Sequence, residues 1–132
     1  MYKVLIVIPT FNESESIAQL IQRIDKMRDL VSNQYHLDVL VVDDNSPDGT
    51  ADLVNEAKYR NVFVLSQDNK KGLASAYLAG FQWGLARGYD YFMQMDGDLS
   101  HQPEQIPQLL ALSSTKNLVI GTRWMIDGQV VN

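Results

Sequence analysis

The apolar positions of this chain fall into short unbroken runs, separated by stretches of helical spacing. Val4 to Ile8 is wholly apolar and mostly β-branched, the pattern of a strand buried on both faces. Pro9 ends it. Asn12 follows as a helix cap with Glu15 three residues on completing a capping box, and Ile17, Leu20, Ile21 and Ile24 then recur on one helical face. Leu37 to Val42 repeats the buried-strand pattern and stops at the turn cluster Asn45-Ser46-Pro47-Asp48-Gly49. Residues 50–59 read as a helix, Val62 to Leu65 as a third strand, and Gly72 to Ala86 as an Ala- and Leu-rich helix ended by Gly88. The run from Asp90 to Met95 predicts a fourth strand. Pro103 with Glu104 beside it opens a further helix, and Leu118 to Ile120 is a short fifth strand.

Strand and helix thus alternate along the chain, which predicts an α/β fold with a mostly parallel sheet and helices on both faces. With 132 residues and no internal repeat, linker or low-complexity tract, the chain reads as one domain, 1–132, able to bury a core of its own. After Gly121-Thr122-Arg123-Trp124 it runs through Asp127-Gly128 to Asn132 without a closing helix, which reads as the front part of a longer protein, with a small complete domain as the alternative.

Composition narrows the function classes. A hydrophobic fraction of 45% and a charged fraction of 20% fit a soluble globular domain. The net charge of −5 argues against a nucleic-acid partner, which selects for a basic face. The absence of cysteine excludes disulfides and thiolate metal sites and is compatible with a reducing compartment. No run approaches the ~18 apolar residues of a membrane span. Lys3, inside the first predicted strand, does not fit a cleaved signal peptide.

The candidate chemistry lies just past the strand ends. Met95-Asp96-Gly97-Asp98-Leu99-Ser100-His101 sets two carboxylates one residue apart after the fourth strand. Hard cations such as Mg²⁺ or Mn²⁺ take oxygen ligands, commonly one or two carboxylates plus substrate phosphates. Open α/β sheets bind ligands at this edge. Asp and Gly are equally ordinary turn residues, so the pair gains its weight from its company. Glu13 and the pair Asp43/Asp44 follow two other strands, and in a doubly wound sheet all three groups share one edge.

Each of these groups also has a plainer explanation. Glu13 suits the first turn of a helix. An Asx turn toward Pro47 and Gly49 accounts for one member of the Asp43/Asp44 pair but not both. Lys70-Lys71-Gly72-Leu73 puts two cations where the helix macrodipole disfavours them, which a nearby phosphate explains, as does a solvated loop. Arg123 can pair bidentately with a phosphate or lie on the surface beside Trp124. His101 reads as a ligand or as a hydrogen-bonding residue near a helix start, His36 as a surface residue, and Met93 and Met95 as core.

Two other α/β readings fail on position. A receiver-type signalling domain carries its acidic pair after the first strand, an aspartate after the third and a lysine after the fifth. Here those ends read Pro-Thr-Phe, Ser-Gln-Asp and Gly-Thr-Arg. A nicotinamide dehydrogenase needs Gly-x-Gly-x-x-Gly after the first strand, and it is absent.

Taken together, Ile8-Pro9-Thr10-Phe11-Asn12-Glu13, Val41-Val42-Asp43-Asp44-Asn45-Ser46-Pro47-Asp48-Gly49-Thr50, Lys71-Gly72-Leu73, the Asp96–His101 motif and Gly121-Thr122-Arg123-Trp124 resemble one family. It is the dolichol-phosphate (polyprenol-phosphate) mannosyltransferases, within the inverting family 2 glycosyltransferases of the GT-A fold. The resemblance spans essentially the whole chain in order. It implies a Rossmann-like three-layer sandwich, with residues 1–132 as its nucleotide-sugar-binding part and the C-terminal acceptor-binding part absent.

The resemblance also implies roles. Pro9, Phe11 and Glu13 match a nucleotide-contacting segment, and Val42 with Asp44 the part that reads base and ribose. Asp96, Gly97 and Asp98 match the diphosphate and metal motif, with Ser100 as a further oxygen ligand. Arg123 matches an arginine facing the donor diphosphate or the acceptor phosphate. Asp98 and Arg123 are then the catalytic residues and Mg²⁺ or Mn²⁺ the cofactor. The implied reaction moves mannose from GDP-mannose to a polyprenyl phosphate, at the cytoplasmic face of a membrane. The alternatives are UDP-glucose or another nucleotide sugar as donor, or donor binding without turnover. Family members usually carry Tyr at 11 and Ala at 97, so Phe11 lacks a hydroxyl and Gly97 is expected to loosen its turn. An arginine often found upstream of the Lys-Gly-Leu is replaced here by Ser66-Gln67-Asp68.

Overall fold

Strands that are apolar on both faces need a layer of helices above and another below. The computed structural model describes residues 1–68 and 72–112 with their side chains, and 113, 118–120, 123–126 and 129–131 as backbone. The order is β1 (Tyr2–Thr10), α1 (Ile17–Val31), β2 (Tyr35–Asp43), α2 (Thr50–Ala57), β3 (Val62–Ser66), α3 (Leu73–Leu85) and β4 (Tyr91–Gln94). A 3₁₀ turn (Pro103–Gln105), α4 (Ile106–Ser113), β5 (Leu118–Ile120), β6 (Arg123–Ile126) and β7 (Gln129–Val131) follow. The first four strands form a parallel sheet in the order β3-β2-β1-β4. β5, β6 and β7 pair antiparallel in a second sheet, although the sequence pattern predicts no element at 123–131.

Alternate side chains of the central strands serve opposite layers. Val4, Ile6 and Ile8 of β1 and Val39 and Val41 of β2 are buried with Ile17, Leu20 and Ile24 of α1, Val54 of α2 and Ile106 of α4. Leu5, Val7, Leu40 and Val42 meet α3 on the other face, through Ala76, Phe81 and Trp83. Each fully buried aliphatic side chain contributes about 1.5–3 kcal/mol, so the sheet is clamped from both sides. α3 lies very close to it. A Cβ at Gly80 would stand 2.5 Å from Val7 Cγ1, and one at Gly84 2.4 Å from the Phe92 ring.

After β3 the chain crosses back over β2 and β1, on the α3 face, to set down β4. The strand order therefore reverses between β1 and β4, whose pairing ends at Val7 and Gln94. Beyond that point the strands part, at the kind of switch point where open α/β sheets bind ligands.

Two expectations about this corner need correction. β1 does not stop at Pro9 but runs on to Thr10. The Val7 carbonyl accepts the Met95 N–H on the β4 side (3.1 Å), and the Thr10 carbonyl accepts the Asp44 N–H on the β2 side (3.0 Å). By that alternation the Pro9 nitrogen points past the end of β4, where its missing N–H breaks no ladder bond. Nor do Asn12 and Glu15 form a capping box. α1 starts at Ile17 with Ser16 as its N-cap, and Asn12 lies in the left-handed region at φ +58°. The amides of residues 12–14 are bound instead by a loop distant in sequence.

Candidate functional site

The crevice at the switch point encloses about 350 Å³. Pro9 near the end of β1 and Phe11 and Glu13 after it wall one side, Asp44 stands after β2, and Asp96, Gly97 and Asp98 after β4, while Gly72, Leu73 and Ala76 at the start of α3 close the remaining side. The parallel topology thus gathers four carboxylates from three strand ends. Val42 is not part of this wall, because its side chain is fully buried beneath α3.

Of the adjacent acids, one builds the turn and the other faces the crevice. Asp43 is buried, and its Oδ1 accepts the hydroxyls of Thr10 (2.7 Å) and Ser46 (2.6 Å) while Oδ2 accepts the Ser46 N–H (2.9 Å). Asp44 lines the crevice, and its Oδ2 accepts the Gly72 N–H at 3.1 Å, tying it to the start of α3.

Asp96 and Asp98 stand in a turn whose Leu99 is held at φ +68°, a conformation that costs an L residue about 1–2 kcal/mol. Leu99 packs on the core and the Ser100 N–H donates to Asp98 Oδ1 at 3.0 Å, which hold the turn in place. Asp96 is gripped by its surroundings. Tyr77 of α3 donates its hydroxyl to Oδ1 (3.2 Å), and Ser100 approaches Oδ2 (3.5 Å). The Asp96 N–H donates to His101 Nδ1 at 3.1 Å, so the imidazole proton belongs on Nε2, which lies 3.6 Å from Asp96 Oδ2. His101 therefore braces the acidic turn. Gly97 also serves close packing: a Cβ there would meet Thr10 Cγ2 at 3.2 Å and Glu13 Cγ at 3.3 Å, so glycine lets two strand ends approach closely.

The electrostatics follow from this crowding. Burial, then the nearby charge of Asp98, raises the Glu13 carboxyl above its ordinary value, against a lowering contact from Ser16. Hydrogen bonds from Ser100 hold Asp98 below the usual carboxylate range. Burial and the Asp96 charge push the Tyr77 hydroxyl up, which keeps it a donor. Because folded Glu13 holds its proton more tightly than the unfolded chain does, it destabilises the fold as pH rises through its raised value. Glu13→Gln is therefore expected to stabilise the ligand-free protein at neutral pH by less than about 1 kcal/mol, solvent screening the part-buried group. Thermal unfolding should show the gain fading as the pH falls toward the ordinary carboxylate range.

The donor set of carboxylates and a hydroxyl suits a hard divalent cation. Among the described residues no three His, Cys, Asp or Glu side chains form a closed cage. Asp96, Asp98 and Ser100 would be the residues to hold such a cation, and water or phosphate oxygen would have to supply the remaining ligands. Lys70 and Lys71 lie outside the described residues. Arg123 opens β6, and its side chain likewise lies outside them.

Several contributors to this site carry no distinctive sequence signal. Tyr77 is one aromatic in an apolar helix and reads as core. Ser16, whose hydroxyl donates to the Gly97 carbonyl at 2.6 Å, reads as an ordinary residue near a helix start.

The sequence profile of glycosyl transferase family 2 matches residues 5–132. The undecaprenyl-phosphate mannosyltransferase of Micrococcus luteus is 50% identical over 132 residues, covering 98% of this chain and 52% of that protein. The dolichol-phosphate mannosyltransferase of Pyrococcus furiosus is 40% identical over 133 residues, covering 98% of this chain and 36% of that protein. The chain spans about half the length of these curated relatives, or less. Among solved structures, S. aureus TarS aligns with a TM-score of 0.69 at 21% identity, over 86% of this chain and 32% of that one. The mannosyltransferase PcManGT from Pyrobaculum calidifontis, solved in complex with GDP-Man and Mn²⁺, aligns with a TM-score of 0.54 at 25% identity, over 72% and 27%.

Proposed function

We propose that this chain, which belongs to glycosyl transferase family 2, is the donor-binding part of an enzyme that transfers mannose from GDP-mannose to a polyprenyl phosphate with inversion. Its fold is GT-A-like. The observation that carries the proposal is the meeting of Glu13, Asp44, Asp96 and Asp98 in one crevice at the strand-order reversal. A wall this acidic repels a diphosphate unless a divalent cation stands between them. The acceptor class is taken from the relatives named for undecaprenyl and dolichol phosphate, and the donor and metal from PcManGT.

Asp98, kept ionised by Ser100, would hold Mg²⁺ or Mn²⁺ together with Asp96 and Ser100. When bound, the cation supplies Lewis-acid neutralisation of the departing diphosphate. Asp44, anchored to α3 through Gly72, offers its carboxylate to sugar hydroxyls of the nucleoside. Pro9 and Phe11 supply the apolar wall on which a base can lie. Arg123 complements the phosphate charge that develops during transfer. A polyprenyl phosphate is largely ionised at neutral pH, its second pKa being ~6, so its oxygen attacks without a strong general base. The new bond forms at C1 of mannose as the bond from C1 to GDP breaks, and attack from the opposite face yields the β-mannosyl phosphate. No helix among the described residues is long and apolar enough to cross a membrane. A lipid-borne acceptor and a water-borne donor fit a peripheral position on the cytoplasmic face.

Calorimetric titration of the chain with GDP-mannose, with and without Mn²⁺ and with UDP-glucose as competitor, tests the donor half. Metal-dependent binding that prefers GDP-mannose is expected. A folded chain that binds neither nucleotide sugar would overturn the donor assignment.

A further inference from the structure

Ser46 and Asp48, in the loop between β2 and α2, and Thr50, the first residue of α2, stand outside the crevice wall, yet all three reach the segment that carries Glu13. The Asn12 N–H donates to Ser46 Oγ (2.9 Å), the Glu13 N–H to Thr50 Oγ1 (3.1 Å) and the Ser14 N–H to Asp48 Oδ2 (3.1 Å). We propose that these three are positioning residues, a side-chain clamp that fixes residues 12–14 so that the Glu13 carboxylate enters the donor crevice.

Two features show that the clamp is braced rather than incidental. Each hydroxyl gives its own proton to a carboxylate: Ser46 to Asp43 Oδ1 at 2.6 Å, and Thr50 to Asp48 Oδ1. That leaves the oxygen lone pairs aimed at the two amides, and the linked bonds polarise one another. Thr50 is fully buried, and its own N–H donates to Asp48 Oδ1 at 3.0 Å, so the loop cannot turn away without stranding polar groups.

The segment needs such a hold. Asn12 is in the left-handed region, and α1 begins only at Ile17, so neither regular helix nor strand pairing captures these amides. Glu13 is crowded by Asp98, and a loose segment would swing its carboxylate out to solvent. At the far end, the Ser16 hydroxyl fastens the same segment to the Gly97 carbonyl of the acidic turn. The clamp therefore joins the loop after β2 to the loops after β1 and β4.

The consequence for ligand binding rests on the proposed donor site, whereas the clamp itself does not. Thr50→Val keeps the side-chain shape and removes the acceptor, and Thr50→Ser keeps the hydroxyl. Backbone amide exchange of the unliganded chain, followed by NMR, should be about tenfold faster at residues 12–14 in Thr50→Val. Exchange at the Ile6 and Leu40 amides should be unchanged, affinity for GDP-mannose with Mn²⁺ should fall about tenfold, and Thr50→Ser should restore both. If the core amides also accelerate, Ser46→Ala read at the Asn12 amide replaces the test. Unchanged exchange at 12–14, or faster exchange with undiminished donor affinity, would overturn the proposal. Failure of the unsubstituted chain to bind any nucleotide sugar would overturn the donor reading instead, and the exchange comparison would still decide the clamp.

Discussion

Asp98→Asn should lower the Mn²⁺-dependent affinity for GDP-mannose by about a hundredfold, equivalent to ~2.7 kcal/mol. Metal-free binding should not weaken, because one of the carboxylates that repel the diphosphate is gone. The substitution keeps an oxygen to accept the Ser100 N–H, so the turn survives while the charge that attracts a cation is removed. Asp98 is exposed, so unfolding should move by no more than ~0.5 kcal/mol. A second consequence is independent of any nucleotide. The Asp98 charge helps to raise the Glu13 carboxyl, so Glu13 should titrate closer to its ordinary value in the variant. Because Asp98 itself is held low, its own carboxylate should stay charged, and available to a cation, at pH values where an ordinary aspartate begins to take up its proton. Calorimetry of wild type and variant at matched pH reads both effects. Undiminished metal dependence in Asp98→Asn would move the cation to other ligands.

Gly80→Ala should destabilise the fold by about 1–3 kcal/mol, as overpacking does, less up to ~1 kcal/mol regained from the better helix former. The added methyl meets Val7 Cγ1 at 2.5 Å and Cγ2 at 3.2 Å, and a β-branched side chain in a central strand has little room to turn. The remaining relief is to lift α3 off the sheet. That helix carries Tyr77, which donates to Asp96, and Gly72 just before it donates to Asp44. Donor affinity should therefore fall along with the denaturation midpoint. Loss of stability with full donor affinity would show that the sheet absorbs the methyl and that α3 keeps its place.

The strands and helices were legible because their signals are local. Unbroken apolar runs such as Val4 to Ile8 match buried parallel strands, and Ile17, Leu20, Ile21 and Ile24 mark the buried face of α1. The alternation of the two implied a parallel sheet, and a parallel sheet puts its strand ends on one edge. From this, the gathering of Glu13, Asp44, Asp96 and Asp98 could be anticipated without coordinates. The chain beyond residue 120 was less legible, since β6 and β7 are short strands whose pairing, not composition, defines them.

The misread capping box shows where local logic fails. Asn12 and Glu15 have the right types at the right spacing, and in isolation such a pair would start a helix. The Asn12 amide that Glu15 would have satisfied is taken by Ser46, and the next two amides by Thr50 and Asp48, with Thr50 standing 37 residues from Glu13 in the chain. The adjacent acids tell the same story. Turn chemistry required one of Asp43 and Asp44 but could not choose between them; the strand pleat turned Asp43 toward Thr10 and Ser46 and left Asp44 to the crevice.

By itself, then, the sequence determined the element order, the parallel architecture, the edge on which the acids lie and the family resemblance. Each of these depends on side-chain type and near-neighbour spacing. Only the tertiary structure decided that Tyr77 and His101 brace Asp96, that Gly97 serves close approach, and that the loop after β2 holds the Glu13 segment. Hydrogen bonds of this kind depend on which distant backbone groups the packed sheet brings within about 3 Å of each other, and spacing along the chain does not encode that distance.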